Sequence, residues 1–279
     1  MLSNSEYNIQ FDKIFSQALD LVNSSLNQPD IPYNERLNAA LKVLEIGILS
    51  SQQKQLNSLL PEVIPSSDIS PDPFLQNQQT EAIILNPDYV QLDNFLSEED
   101  YQKLLKMTLA NQDKFFPSEV INNESKYRES YILLPQHFVE FHELLTHQLL
   151  SVRPNVMQQL QMPMFLVSHL EMQITAHLQG GYYKIHQDVD AGKAANRRLT
   201  YVYYFYQEPK GFYGGDLRLY ETKIQDNQSL IQERFNQIEP RNNSIIFFDS
   251  RCKHEVLPVY CPSQNFADSR FALNGWIHA

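Results

Sequence analysis

The chain has 279 residues, 42% of them hydrophobic, which is enough for one large or two small domains with a real core. Its 22 Lys and Arg against 33 Asp and Glu leave a net charge of −11, which argues against nucleic acid, since binding a phosphate backbone relies on basic residues releasing its counterions. Two cysteines cannot frame a disulfide scaffold, the start MLSNSEYNIQFDKIF lacks the basic-then-apolar order of a secretory signal, and no apolar run approaches the roughly 18 to 20 residues of a membrane span, so a reducing cytoplasmic setting is expected.

In chain order, residues 1–60 carry helical periodicity. Phe11, Ile14, Phe15, Ala18, Leu19, Val22 and Leu26 recur at spacings of three and four, and Leu37, Ala40, Leu41, Leu44 and Ile48 repeat the pattern after Pro29 and Pro32. Two amphipathic helices are predicted as an N-terminal module. A hairpin this short cannot bury both stripes alone, so it must pack on the rest of the chain, on a second copy as a homodimer, or on a partner. Residues 61–86 read as a linker, because Pro61, Pro65, Pro71 and neighbouring serines deny both a helix and a central strand. A second domain is expected over 87–279, beginning with a short strand at 89–92 (YVQL). Ser97, followed three residues later by Asp100, marks the start of a helix over about Glu98 to Asn111, and a further helix is predicted over about Phe138 to Val152.

Beyond Met164 the texture changes. FLVSHLEMQITAHL, RLTYVYYFYQ, DLRLYE, SIIFFD and RFALNGWIH are aromatic and β-branched runs separated by turn signals, with no helical pattern between them. Such a series points to a double-sheet jelly roll or a barrel rather than to a parallel sheet. With the helices before it, the fold class is α+β: a jelly-roll (double-stranded β-helix) domain with flanking helices.

The histidines need sorting. His142, Glu143 and His147 resemble a zinc-protease helix, but that chemistry needs histidines four apart on one face, and the fifth residue lies about 140° further round. His186 and Asp188 are different, because a spacing of two at the end of a strand puts both side chains on one face. His254 directly follows the strand SIIFFD. Two imidazoles and one carboxylate can occupy one face of a metal's octahedron and leave three positions open, as a non-haem Fe(II) oxygenase requires. Taken alone, His-x-Asp is a common spacing and fits a surface pair with a separate loop histidine equally well. Arg270 adds a third element: with Ala272, Asn274 and Trp276 it lies on one face of the last strand, where its guanidinium needs an anion, either the carboxylate of a ligand or an internal Asp or Glu.

Taken in order, YYKIHQD, YVYYF, GGDLRLYE, IIFFDSRCKHEVLPV and RFALNGW, preceded by YVQLDNFLSEEDYQKLL, resemble the 2-oxoglutarate- and Fe(II)-dependent dioxygenases and, within them, the prolyl 4-hydroxylase-like group. The resemblance covers about Asp88 to Ala279. It implies an enzyme with Fe(2+) held by His186, Asp188 and His254, with 2-oxoglutarate and O2 as cosubstrates, and with Arg270 anchoring the far carboxylate of 2-oxoglutarate. It further places Tyr204 against the cosubstrate, and puts His177 where many relatives carry a tyrosine that touches it. In this group the anchor lies about ten residues past the distal histidine, so YCPSQNFADS stands as an inserted loop. Tyr183 is expected to pack, and Gly214 and Gly215 to permit a tight turn. Because Asp188 is present, hydroxylation is implied rather than halogenation. The implied reaction places a hydroxyl on an unactivated C–H and releases succinate and CO2. The implied substrate is a prolyl or other residue of a peptide or protein; a free amino acid or small metabolite, or a binding protein that has lost turnover, remain as alternatives. Asp190 and Arg251, at the mouth of the cavity, are the candidate substrate contacts, although an exposed loop charge is more often merely solvated.

Overall fold

A computed structural model of the chain describes residues 82–118, 127–189, 192, 194–226 and 228–279. The predicted N-terminal helices, and most of the predicted linker, lie outside these residues. The chain divides into two compact units, one formed by Met1–Gln76 with Met164–Leu166 and the other by Asn77–Pro163 with Val167–Ala279. The second unit carries the fold described below.

Its strands are β1 (Ile83–Leu85), β2 (Val90–Asp93), β3 (Phe116–Pro117), β4 (Arg128–Glu129), β5 (Tyr131–Leu133), β6 (His169–His177), β7 (Tyr182–His186) and β8 (Arg197–Phe205). They continue with β9 (Tyr213–Gly214), β10 (Leu217–Gln225), β11 (Gln228–Ile238), β12 (Ser244–Asp249), β13 (His254–Val256), β14 (Val259–Tyr260) and β15 (Arg270–His278). The larger sheet runs β2-β12-β8-β15-β6-β5-β3 and the smaller β1-β10-β13-β7-β4, with β11 paired to β10. From β6 onward, leaving aside β11, which pairs with β10 as a hairpin, and the separate pair β9-β14, the strands β6, β7, β8, β10, β12, β13 and β15 alternate between the two sheets. That alternation is the winding of a jelly roll, and it brings residues distant in sequence to facing positions. Tyr204, Leu217, Leu219, Ile246, Phe248 and Ala272 form the buried core cluster that joins them.

Two helices flank the sheets. Helix α1 (Glu98–Ala110) starts where expected, with the Ser97 hydroxyl accepting from the Asp100 backbone N–H at 3.1 Å. The Asp100 carboxylate accepts a hydrogen bond from the Ser97 hydroxyl at 2.7 Å instead of reaching back to the Ser97 backbone, as a full capping box would. The Tyr101 hydroxyl donates to the Tyr206 carbonyl at 2.6 Å, and Phe95 packs against Tyr203, tying this end of the helix to the outer face of the larger sheet. Helix α2 (Val139–Gln159) runs past the predicted end at Val152 and through Pro154. The reason is burial: Leu149, Arg153, Val156 and Met157 prolong the apolar stripe of Phe141 and Leu145, and this outweighs the hydrogen bond that proline removes. His142 and His147 on this helix are both exposed, in keeping with the rejected zinc reading.

Candidate active site

Strand register assembles one pole of the site. In the smaller sheet β7 pairs with β13 so that His186 lies opposite His254, and β13 pairs with β10 so that His254 lies opposite Leu219. Asp188 follows β7 at once, its backbone N–H donating to the Ser250 carbonyl at 3.1 Å. One ligand atom from each of His186, Asp188 and His254 lies within 4.8 Å of the others. The Nε2 atoms of the two imidazoles face the carboxylate, at 3.8 Å from Asp188 Oδ1 for His186 and 3.5 Å from Oδ2 for His254.

The backbone sets the tautomers. His186 Nδ1 lies 2.8 Å from the Lys184 carbonyl and His254 Nδ1 lies 3.0 Å from the Cys252 carbonyl. A carbonyl only accepts, so each Nδ1 carries a proton, and the tautomer that leaves Nε2 as the ligand atom is selected in each ring. Burial, reinforced by the neighbouring His254, pushes the His186 pKa down to about 3, so its ring is neutral near pH 7. Burial works to raise the pKa of Asp188, but His254, His186, the Trp276 indole and the Thr200 hydroxyl together outweigh it and hold the carboxyl below its usual range. Thr200 Oγ1 donates to Asp188 Oδ2 at 2.8 Å, whereas the Trp276 N–H is near enough to favour the carboxylate without forming a well-aligned hydrogen bond. Two imidazole nitrogens and one carboxylate brought together in this way fit a divalent first-row cation such as Fe(II). Tyr183 stacks on the His186 ring at 3.5 Å and Phe248 meets the His254 ring edge-on at 4.8 Å, so aromatic packing fixes both planes.

The larger sheet builds the other pole. There β15 pairs with β6 so that Arg270 lies opposite His177, and with β8 so that Ala272 lies opposite Tyr204. Period two puts Arg270, Ala272, Asn274 and Trp276 on the inner face with His177 and Tyr204. Arg270 is 1% exposed, yet among the described residues it has no ion pair; the carboxylate it feels, Asp216, accepts from Gln237 instead. The internal salt bridge left open by the sequence is therefore not what the guanidinium makes. Its Nε donates to the Gly215 carbonyl at 2.7 Å, its Nη1 lies 3.4 Å from His177 Nδ1, and its carbon sits 4.8 Å from the Tyr204 ring centroid. Gly215 allows this approach, because a Cβ there would fall 2.5 Å from Arg270 Cδ and its φ of +70° suits glycine.

Three polar atoms of this group are buried without a well-formed hydrogen bond, Arg270 Nη2, Tyr204 Oη and His177 Nε2, although the Tyr204 hydroxyl is near enough to favour the Arg270 charge. Burial, then the Arg270 and Arg128 charges, lower the His177 pKa well below the ordinary value, so the ring is neutral. Because Nδ1 receives the guanidinium, Nε2 bears the hydrogen. All three atoms can thus donate, and sealing unpaired donors costs free energy unless a ligand supplies acceptors. A carboxylate fits them, and a diacid such as 2-oxoglutarate offers one there.

Of the other expected residues, Asp190 lies outside the described set. Arg251 is held by Asp249, with contacts of 2.6 to 3.2 Å, so its guanidinium already has an anion. Thr200, Trp276 and Arg197, which surround Asp188, carried no signal in the sequence beyond lying on inward-facing strands. Arg197 donates to the Asp188 carbonyl at 3.1 Å, pairs with Glu171 at 2.6 Å and stacks over Trp276 at 3.5 Å.

The sequence and the fold both have relatives among known proteins. Residues 172–278 match the 2OG-Fe(II) oxygenase superfamily. Over 278 residues the chain is 36% identical to an uncharacterised PKHD-type hydroxylase of Synechocystis sp., covering 95% of this chain and 91% of that one. Among solved structures, a Trichoplax adhaerens prolyl hydroxylase in complex with a hypoxia inducible factor peptide fragment aligns with a TM-score of 0.51 at 20% identity, over 68% of this chain and 83% of that one. A Pseudomonas putida prolyl-4-hydroxylase aligns with a TM-score of 0.47 at 19% identity, over 68% of this chain and 91% of that one.

Proposed function

The chain belongs to the 2OG-Fe(II) oxygenase superfamily, and we propose that it is an active hydroxylase in which His186, Asp188 and His254 hold Fe(II) while Arg270, with Tyr204 and His177, holds the far carboxylate of 2-oxoglutarate. The observation that carries this reading is the approach of three ligand atoms to within 4.8 Å of one another, with both Nε2 atoms 3.5 to 3.8 Å from the Asp188 carboxylate. When bound, Fe(II) and 2-oxoglutarate supply the chemistry: O2 is consumed, a C–H becomes C–OH, and succinate and CO2 are released.

The chain's own residues position and shield. The Lys184 and Cys252 carbonyls hold a proton on each Nδ1, so that Nε2 is the atom of each ring that turns to the metal. Asp188 supplies the negative charge, steadied by Thr200. Arg270 grips one end of the diacid and so fixes where its other end must lie. Tyr204 and Phe248, fully buried, help keep water from the core side of the cavity.

The substrate under this reading is a prolyl or other residue of a peptide or protein. That preference is supported by the hydroxylase relative and by the Trichoplax fold neighbour, which holds a peptide fragment. Anaerobic titration of the protein with Fe(II) and 2-oxoglutarate should produce a visible metal-to-ligand charge-transfer band that is absent in His186→Ala. Succinate release above the uncoupled rate should then follow addition of proline-containing peptides. Stimulation by free amino acids alone would move the substrate to a small metabolite, and a wild-type protein with no band would sink the hydroxylase reading.

A further inference from the structure

Arg128 is a cation beside the metal pole that the reading above leaves unused. It lies in β4, the edge strand of the smaller sheet, directly opposite Tyr183 of β7. Its guanidinium carbon sits 4.7 Å from the Tyr183 ring centroid, and that ring stacks on His186. One aromatic ring therefore separates this charge from a candidate iron ligand. Of the five guanidinium N–H donors, Nε–H is spent on Ser130 Oγ at 2.7 Å. The Tyr183 side chain lies near enough to favour the charged form, but among the described residues neither Nη makes a well-formed hydrogen bond or an ion pair.

Electrostatics isolates the charge further. Burial lowers the Arg128 pKa, opposed by Tyr183 and Asp188, yet a guanidinium stays protonated. Asp188 cannot serve as its counterion once that carboxylate faces a divalent cation. The two charges of 2-oxoglutarate are likewise taken up by the metal and Arg270. Arg197, on the other side of Asp188, already has Glu171. Among the described residues Arg128 is left, half-buried, without a carboxylate of its own in the loaded site.

We infer that Arg128 receives a carboxylate of the substrate, so that the carbon to be hydroxylated lies close to an acidic side chain or to a terminal carboxylate. This deepens the hydroxylase reading and rests on it. A guanidinium fork matches a carboxylate through two parallel hydrogen bonds, and a neutral amide cannot replace both.

The test uses the anaerobic protein loaded with Fe(II) and 2-oxoglutarate. Fluorescence anisotropy would compare short proline-centred peptide pools that differ only in Glu or Gln flanks, each with a free or an amidated C-terminus, and a competition arm would set free amino acids against their amides. Glu against Gln reports a side-chain carboxylate, and free against amidated termini reports a terminal one. At least one charged member should bind roughly 30-fold tighter than its neutral twin, the loss typical of truncating one partner of a partly buried ion pair. Arg128→Gln should erase that gap, Arg128→Lys should retain part of it, and Arg128→Glu should favour Lys-flanked peptides. Equal binding of charged and neutral twins by the wild type, no binding of any probe, or a gap that survives in Arg128→Gln would overturn the inference. So would a variant whose only change is weaker 2-oxoglutarate binding, since the arginine would then serve the cosubstrate. A wild type without the charge-transfer band is a separate failure, that of the hydroxylase reading itself.

Discussion

At the metal pole, His186 and His254 each spend Nδ1 on a backbone carbonyl, and Asp188 is held through its side chain by Thr200 and through its backbone by Ser250 and Arg197. At the anion pole, Arg270 Nη2, Tyr204 Oη and His177 Nε2 are sealed from solvent without a well-formed hydrogen bond. The protein's own groups therefore preorganise the first pole, whereas the second is completed only by a ligand that brings acceptors. The difference separates a ligand set whose geometry is built into the fold from a receptor whose polar atoms are held in waiting.

The largest effect expected from this contrast is at the anion pole. Arg270→Gln should weaken 2-oxoglutarate binding by about 30-fold to a few thousand-fold, as when one partner of a buried charge pair is lost. The charge-transfer titration measures it, and an unchanged midpoint would place the diacid elsewhere. The next effect sharpens the account of the metal pole. An unfolded histidine takes its proton near pH 6.5, but folded His186 resists until about 3, so the stability it contributes is complete above pH 6.5 and is lost as the pH falls through that window. Urea unfolding of the metal-free protein between about pH 7 and about pH 5 should show stability falling by up to about 1.4 kcal/mol per pH unit from this residue. His186→Leu should flatten the slope; equal slopes would show that the ring is not held neutral. The smallest effect tests whether the anion pole is incomplete. Tyr204→Phe should cost 2-oxoglutarate affinity by roughly tenfold or less while leaving the ligand-free protein at least as stable as wild type, because it removes a buried hydroxyl that makes no well-formed hydrogen bond. A lower melting temperature without ligand would mean that the hydroxyl already has a partner.

Much of the site was legible in the sequence because strand periodicity is local. His186 and Asp188 two apart and the face shared by Arg270, Ala272, Asn274 and Trp276 follow from period two alone, while His254 was picked out by its place shortly after the strand SIIFFD. The features that escaped depend on register between strands far apart in sequence: His177 opposite Arg270, Tyr183 opposite Arg128, and Thr200 against Asp188. The tautomers escaped as well, since they are set by backbone carbonyls, which no side-chain pattern reports. Helix α2 outran its predicted end because Val156 and Met157 are buried by tertiary packing, which overrides the local veto of Pro154. Strand β11 was missed because most of its residues face solvent, so it lacks the apolar alternation that marks a half-buried strand.

The most direct test is an anaerobic diffraction experiment on crystals grown with Fe(II) and 2-oxoglutarate, using the anomalous signal of iron. One strong peak should lie within bonding distance of His186 Nε2, His254 Nε2 and an Asp188 oxygen, with the diacid chelating it and its far carboxylate on Arg270. A peak elsewhere, or a diacid whose far end does not touch Arg270, would contradict the two-pole site.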